Sequence, residues 1–446
     1  MSLRSPFDHV NSTSVSVDLA NESVASEKGN PFETPYGSNA PSAASSQVFW
    51  DNRTAPARFF HSRRVKKGEV SKPWLSVKDS KEKWITIIPI MGMLVGLALG
   101  ALLVWDGLKT VVNNKYCPIY STDFSEGLDE SIWTKEAEVG GFGNGQFEET
   151  TITDENVFLR DGMMVIRPTL QDEALITTNS VIDLTQQGIC SSTEWKNCIT
   201  STNTTNGTII QPVKSGRVNL KNRAIKYGRI EVEAELPSGD WLWPAIWMLP
   251  VNSTYGDWPA SGEIDILESR GNDHTFAQGG NNVMSSALHW GPDTGNDAWW
   301  RTNNKRSALH TTFAKKFHTF GLEWNEKYLF TYLDSRLMQV MYVNFDSKSS
   351  LWERDPWSQT GRPSTPFDED FYLIINLAVG SQNGWFEDGK SKKPWVDGSP
   401  TAKKDFWNAR DEWQKTWEEG SPELKIRAVR VWQQQGYNGC ESGIQL

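Results

Sequence analysis

Residues Trp84 to Trp105 read WITIIPIMGMLVGLALGALLVW, 22 residues without a charge. No other stretch limits the fold of the chain so strongly. As a helix it would be roughly 33 Å long, enough to cross a hydrocarbon core of about 30 Å. A buried helix of a soluble domain is seldom uncharged for so long. The tryptophan at each end suits the two membrane interfaces. With 83 residues ahead of it, the run is expected to be an anchor rather than a cleaved signal peptide. Lys66, Lys67, Lys72, Lys78, Lys81 and Lys83 lie just upstream, against Lys109 and Lys115 close downstream. Positive charge stays in the cytosol, so the expected topology is single-pass type II. The long C-terminal part then lies in the lumen or outside the cell.

That division sets the expected layout. Residues 1–83 form a disordered cytosolic tail, 84–105 the transmembrane signal anchor, 106–120 a short linker and 121–446 one folded domain. The first 50 residues are rich in Ser, Asn and Pro without apolar periodicity, which is why no fold is expected there. Asn30, Pro31 and Phe32 match the tripeptide bound by endocytic adaptor domains, a candidate partner. A linker turn is the plainer reading of three residues.

All four cysteines, Cys117, Cys190, Cys198 and Cys440, lie beyond the apolar run. An oxidising compartment and disulfides are expected there. Of the three pairings, Cys190–Cys198 as a local staple and Cys117–Cys440 joining the domain ends are favoured. Sequons at Asn203, Asn206 and Asn252 lie on the same side and are expected to carry glycans. Those at Asn11, Asn21 and Asn52 face the cytosol and should stay bare.

Beyond residue 121 the pattern is β. NVFLRDGMMVIRP (156–168) is a hairpin with an Asp-Gly turn. AIKYGRIEVEAELP, HTFGLEW, KYLFTYLDSRLMQVMYV, FYLIINLAV and IRAVRVW are further short strands bounded by turn residues. Many such strands predict an all-β, two-sheet sandwich. One helix is expected near the end, capped by Ser399, closed by Gly420, with Phe406, Trp413 and Trp417 on one face.

Several function classes drop out. With 55 acidic against 45 basic residues, nucleic acid is not an expected partner. No HExxH metal spacing, P-loop or dinucleotide fingerprint occurs. The glycines of GGFGNG (140–145) lead into strand-like sequence rather than a helix, so they cradle no phosphate. Tryptophan is the compositional outlier: 22 copies, seven of them from Trp241 to Trp300. Most should be core, and some could be platforms for sugar rings.

SGEIDILESRG (261–271) packs Glu263, Asp265 and Glu268 into six residues of strand-like sequence. In a regular strand Glu263 and Asp265 share a face and Glu268 points away. One extra residue near Ile266–Leu267, a β-bulge, would return Glu268 to that face. Two glutamates about four residues apart could then approach the roughly 5–5.5 Å carboxyl spacing of a retaining glycosidase. Asp265 would lie between them and hydrogen-bond one. The plainer reading is a solvated face, or a sheet edge protected by charge.

EIDILE resembles the bulged ExDxxE signature of glycoside hydrolase family 16. WPASGEIDILE, YGRIEVEAELPSGDWLWPAIWMLP, SSALHWG, HTFGLEW and DFWNARDEWQKTW extend the resemblance over roughly residues 117–446. They are most similar to the β-1,3-glucanase and β-1,3-glucan-binding branch. The resemblance implies a jelly-roll sandwich with a substrate cleft across a concave sheet, acting on β-glucan polysaccharide with retention. It also implies Glu263 as nucleophile, Asp265 as assistant and Glu268 as acid/base. Trp243, Trp247, Trp258, His289 and Asn144 match substrate contacts, although Trp247 suits a core and His289 a structural role equally well. No cofactor is implied; a structural calcium ion is left open. Non-catalytic recognition of β-1,3-glucan is the alternative function. Binding-only relatives typically lack the paired glutamates, which this chain has.

Overall fold

β11 (Gly228–Glu235) shows how the sequence makes its sheets. Ile230, Val232 and Ala234 are buried, whereas Arg229, Glu231, Glu233 and Glu235 between them are half-buried on the other face. Period-two patterning of this kind leaves each strand one apolar face to cover. In the computed structural model the described residues are 65–73, 76, 79–110, 114–345, 357–437 and 439–440. Asn30-Pro31-Phe32 and the sequons at Asn11, Asn21 and Asn52 lie outside them.

Two antiparallel sheets bury those faces against each other. The outer sheet runs β18 (Gln339–Asn344), β17 (Tyr328–Leu333), β16 (His318–Trp324), β11, β20 (Leu424–Gln434), β5 (Met163–Ile166) and β4 (Val157–Arg160), with β1 (Tyr116–Thr122) also on β20. The second sheet runs β15 (Asn303–Ser307), β14 (Val283–His289), β13 (Glu263–Ser269), β12 (Leu242–Pro250), β19 (Phe371–Val379), β10 (Arg217–Asn219) and β2 (Thr134–Lys135). Ile230, Val232, Phe320 and Leu322 from the first meet Ile246, Met248, Ile264 and Leu288 from the second in one core. The chain is thus an all-β sandwich. Smaller additions are a three-strand sheet of β3 (Glu148–Thr150), β9 (Val213–Ser215) and β6 (Thr169–Leu170), and a hairpin of β7 (Ser180–Asp183) and β8 (Ile199–Thr202). Between β4 and β5, Asp161 and Gly162 both take positive φ, as the two-residue Asp-Gly turn requires.

α1 (Glu82–Thr110) is one helix long and apolar enough to cross a membrane. It continues past Trp105 into the segment expected to be a linker. The sandwich also begins earlier than residue 121. β1 starts at Tyr116, where ladder bonds to β20 and the Cys117–Cys440 disulfide hold it. The second disulfide joins Cys190 to Cys198.

The expected C-terminal helix is two. After α2 (Glu173–Thr177), α3 (Ala402–Asn408) and α4 (Arg410–Glu419) are separated at Ala409. The Trp413 indole N–H donates to the Phe406 carbonyl at 2.8 Å, occupying an acceptor at the junction. Thr401 rather than Ser399 precedes the first turn. Phe406, Trp413 and Trp417 do face the core together. Trp133, Trp290, Trp324, Trp357, Trp395 and Trp413 are each buried to within 2% of full enclosure, so much of the tryptophan content is packing.

Candidate active site

The site is built around an irregularity in β13. Toward β12, Leu267 opposes Ile246 and Asp265 opposes Trp247, so one residue of β13 has no counterpart. Toward β14, Asp265 opposes Ala287 and Glu268 opposes Ser285, again with one residue to spare. This is the bulge expected at Ile266–Leu267. Both of those side chains are fully buried in the core, so Glu268 returns to the face of Glu263 and Asp265. The carbonyl of Ile266 is met by the Ser286 hydroxyl at 2.7 Å, and Ser286 accepts from Thr331 of the opposite sheet at 2.9 Å. A buried carbonyl displaced from its ladder is thereby satisfied.

On the open face, register aligns the functional side chains. Glu263 lies opposite His289 on β14, while Asp265 and Glu268 lie opposite Trp247 and Ala245 on β12. Trp258 donates its indole N–H to Glu263 at 2.6 Å, and Trp243 donates to Glu268 at 3.1 Å. Each glutamate therefore has its own tryptophan donor. Contrary to the expectation that it bonds one glutamate, Asp265 hydrogen-bonds neither; the nearest charged group is His289 Nε2, an ion-pair contact at 3.3 Å without hydrogen-bond geometry. The reason is the pleat: the imidazole one strand away is within reach.

Charge is unevenly distributed. Burial, then the charges of Glu263 and Glu268, hold the Asp265 carboxyl well above the usual range, against His289. Burial also raises Glu268, with His289 opposing and Glu263 reinforcing. For His289, burial disfavours the cation, but bonds to Asp265 and Asp297 and the charge of Glu263 outweigh it and push the imidazole up to about 12. Glu263, Asp265 and His289 each bring a donor atom within 4.8 Å of the others. Both nitrogens of His289 face carboxylates, Asp297 on Nδ1 and Asp265 on Nε2.

The remaining expected residues fall in different surroundings. Trp258 is 42% exposed, with its ring 5.6 Å from that of His289. Trp243 is only 7% exposed and stacks on Trp385 at 4.8 Å. Trp247 donates to Asn376 at 2.7 Å and has the Arg217 guanidinium 4.8 Å from its ring centre; that guanidinium also lies 4.1 Å from Phe142. Asn144 accepts from Asn383 at 3.0 Å and so braces the loop that carries Trp385. His289 has neither nitrogen turned toward open space.

Trp385, Trp299, Asp297 and Arg217 escaped the sequence reading. Trp299 stacks near His289 at 6.3 Å, and Arg270 lies 3.8 Å over Trp385. Position was the signal for three of them. Trp385 lies six residues beyond β19, and Asp297 and Trp299 lie in the connection that leaves β14. Loops continuing from the strands of a site sheet are where such residues collect.

Paired glutamates, each with its own indole donor, thus share one face of a β-sandwich. The glycosyl hydrolases family 16 pattern matches residues 185–362. A beta-1,3-glucan-binding protein of Penaeus monodon is 39% identical over 338 residues, covering 71% of this chain and 90% of that protein. Glucan endo-1,3-beta-glucosidase A1 of Niallia circulans is 29% identical over 281 residues, 61% of this chain and 32% of that protein. The laminarinase catalytic domain of Thermotoga maritima aligns with 72% of this chain and 98% of its own at 23% identity, with a TM-score of 0.46. The chain belongs to glycosyl hydrolases family 16.

Proposed function

We propose that the protein is a membrane-anchored retaining glycosidase acting on β-1,3-glucan. The bulge of β13 carries the reading, because it gives two glutamates one face and different surroundings. Glu263 attacks the anomeric carbon as a carboxylate while Glu268 delivers its proton to the departing glycosidic oxygen. Burial favours the protonated form of Glu268, which suits the donor. The covalent glycosyl ester on Glu263 then yields to water or a sugar hydroxyl, whose proton returns to Glu268. Asp265 and His289 hold the charge balance around the pair. The β-1,3-glucan specificity rests on the relatives from Penaeus monodon and Niallia circulans.

α1 is the anchor and the sandwich lies on the far side of the membrane. Its two disulfides and the sequons at Asn203, Asn206 and Asn252 support that orientation. Sugar found by mass spectrometry on Asn11, Asn21 or Asn52 would reverse it.

A recognition protein is the second reading, favoured by the glucan binding for which the Penaeus monodon relative is named. The full chain in detergent, incubated with laminarin oligosaccharides, separates the two. Shorter products of retained configuration make it a hydrolase, and products longer than the starting sugar make it a transglycosylase. Retention on immobilised laminarin with no product would make it a binder.

A further inference from the structure

His289 lies between two carboxylates and two indole rings. Its Nδ1 lies 2.5 Å from Asp297 Oδ2 and its Nε2 lies 3.3 Å from Asp265 Oδ2. The rings of Trp258 and Trp299 flank it at 5.6 and 6.3 Å. Asp297 is fixed in turn, because its other oxygen accepts the backbone N–H groups of Trp290 and Trp299, each at 3.2 Å. Its side chain is 10% exposed. Gly291 permits the approach: a Cβ there would lie 2.3 Å from the Asn296 carbonyl and 3.0 Å from the Asp297 backbone. The loop between β14 and β15 therefore folds back to bring one carboxylate beneath one imidazole.

We infer that Asp297 is a positioning residue that acts through His289. Its carboxylate on Nδ1 holds His289 as an imidazolium, keeps Nε2 on the side of Asp265 and sets one positive charge among three acids. A carboxylate on one ring nitrogen makes the other more basic and fixes the ring's orientation. The imidazolium then faces Asp265 across 3.3 Å and offsets negative charge on that face of β13. The titratable groups that face the ring are Glu263, Asp265 and Glu268 from β13 and Asp297 from its own loop. Without the imidazolium, the acids of that face would lose the cation nearest to them. The consequence for turnover rests on the glycosidase reading; the protonation state does not.

The test uses the full chain in detergent with isotope-labelled histidine, the His289 signal being the one absent from His289→Asn. In the native protein that ring should remain an imidazolium beyond pH 9. In Asp297→Asn it should lose its proton at least about 2 pH units lower, and Asp297→Glu should restore part of the difference. Where native turnover is present, Asp297→Asn should lower kcat at least about tenfold with KM little changed. A neutral ring in the native protein at pH 8 would overturn the inference whether or not the variant folds. So would an unchanged titration in a folded Asp297→Asn. Absence of native turnover would overturn the glycosidase reading alone, since the titration is read without substrate.

Discussion

Two strands of this sandwich carry three carboxylates each within a few residues, and their fates differ. On β11, Glu231, Glu233 and Glu235 alternate regularly and share the outward face. Each finds a partner: the Tyr332 hydroxyl at 2.7 Å, Arg427 at 2.8 Å and Lys425 at 2.7 Å. Two of those partners come from the adjacent β20, so the acids form a cross-strand ladder. On β13 the bulge breaks the alternation and gathers Glu263, Asp265 and Glu268 with one imidazole and two indoles between them. The number of acids is the same; what differs is that the adjacent β20 supplies cations for two of the β11 acids. The ladder neutralises its charges, whereas the bulged strand holds them crowded, with pKa values pushed upward at Asp265 and Glu268.

The largest expected effect separates the two directly. Glu263→Gln or Glu268→Gln should reduce turnover of laminarin by at least about 10³-fold, the scale of a lost nucleophile or proton donor. Both variants should keep their affinity for the polysaccharide. Glu233→Gln on the ladder should leave turnover unchanged. Comparable losses at all three positions would mean that β13 is no more special than β11.

The sequence foretold one side of this contrast better than the other. Alternation marked β11, β16 and β20, and the spacing of EIDILE was enough to expect the bulge, because only an inserted residue brings Glu268 to the face of Glu263. It could not reveal what surrounds the acids. His289 as the partner of Asp265 depends on cross-strand register, and Asp297 reaches His289 only through a folded loop. Trp247 carries the same chemistry as Trp258 in the sequence, yet it packs under Arg217 while Trp258 stands open. The single helix expected after Ser399 is broken at Ala409, where the Trp413 indole meets the Phe406 carbonyl seven residues back. Cross-strand register and loop contacts are long-range, so local pattern is silent about them.

The bulge itself can be tested through Ser286, whose hydroxyl satisfies the Ile266 carbonyl. Ser286→Ala should cost about 2 kcal/mol, since a buried carbonyl is left unpaired. Turnover should fall too if β13 relaxes toward regular register. The measurement is the thermal midpoint of the full chain, followed by tryptophan fluorescence, beside a laminarin assay. Lost stability with full activity would show that the bulge stands without its hydroxyl.

A smaller effect concerns pH. A carboxyl whose folded pKa is raised holds its proton in the native state where the unfolded chain has lost it. Stability is then highest below the unfolded value, near 4, and declines as pH rises through the folded value. Glu268 is such a group. Glu268→Gln should therefore change stability more favourably at pH 8 than near pH 4. His289 carries the same sign of pH dependence, over a higher window. With its pKa raised to about 12, its contribution is complete below about 6.5 and fades only as pH rises toward 12. A flat difference between wild type and Glu268→Gln across pH 4 to 8 would contradict the raised value.

The smallest expected effect lies on the ladder, and its smallness is the point. Glu233 pairs with Arg427, whose side chain is half exposed. Pairs so open to water contribute roughly 0–1 kcal/mol and weaken with salt. Glu233→Gln should thus shift stability by no more than about 0.5 kcal/mol, and the shift should vanish in high salt. Arg427→Ala is the poorer probe, because that guanidinium also lies 3.8 Å over the Phe317 ring and its removal deletes packing. The thermal midpoints of wild type and Glu233→Gln, compared at low and high ionic strength, read the pair alone. A loss near 2 kcal/mol that persists in salt would show an outer-face acid held by its surroundings as firmly as those of β13. The contrast between the two strands would then have to rest on chemistry rather than on solvation.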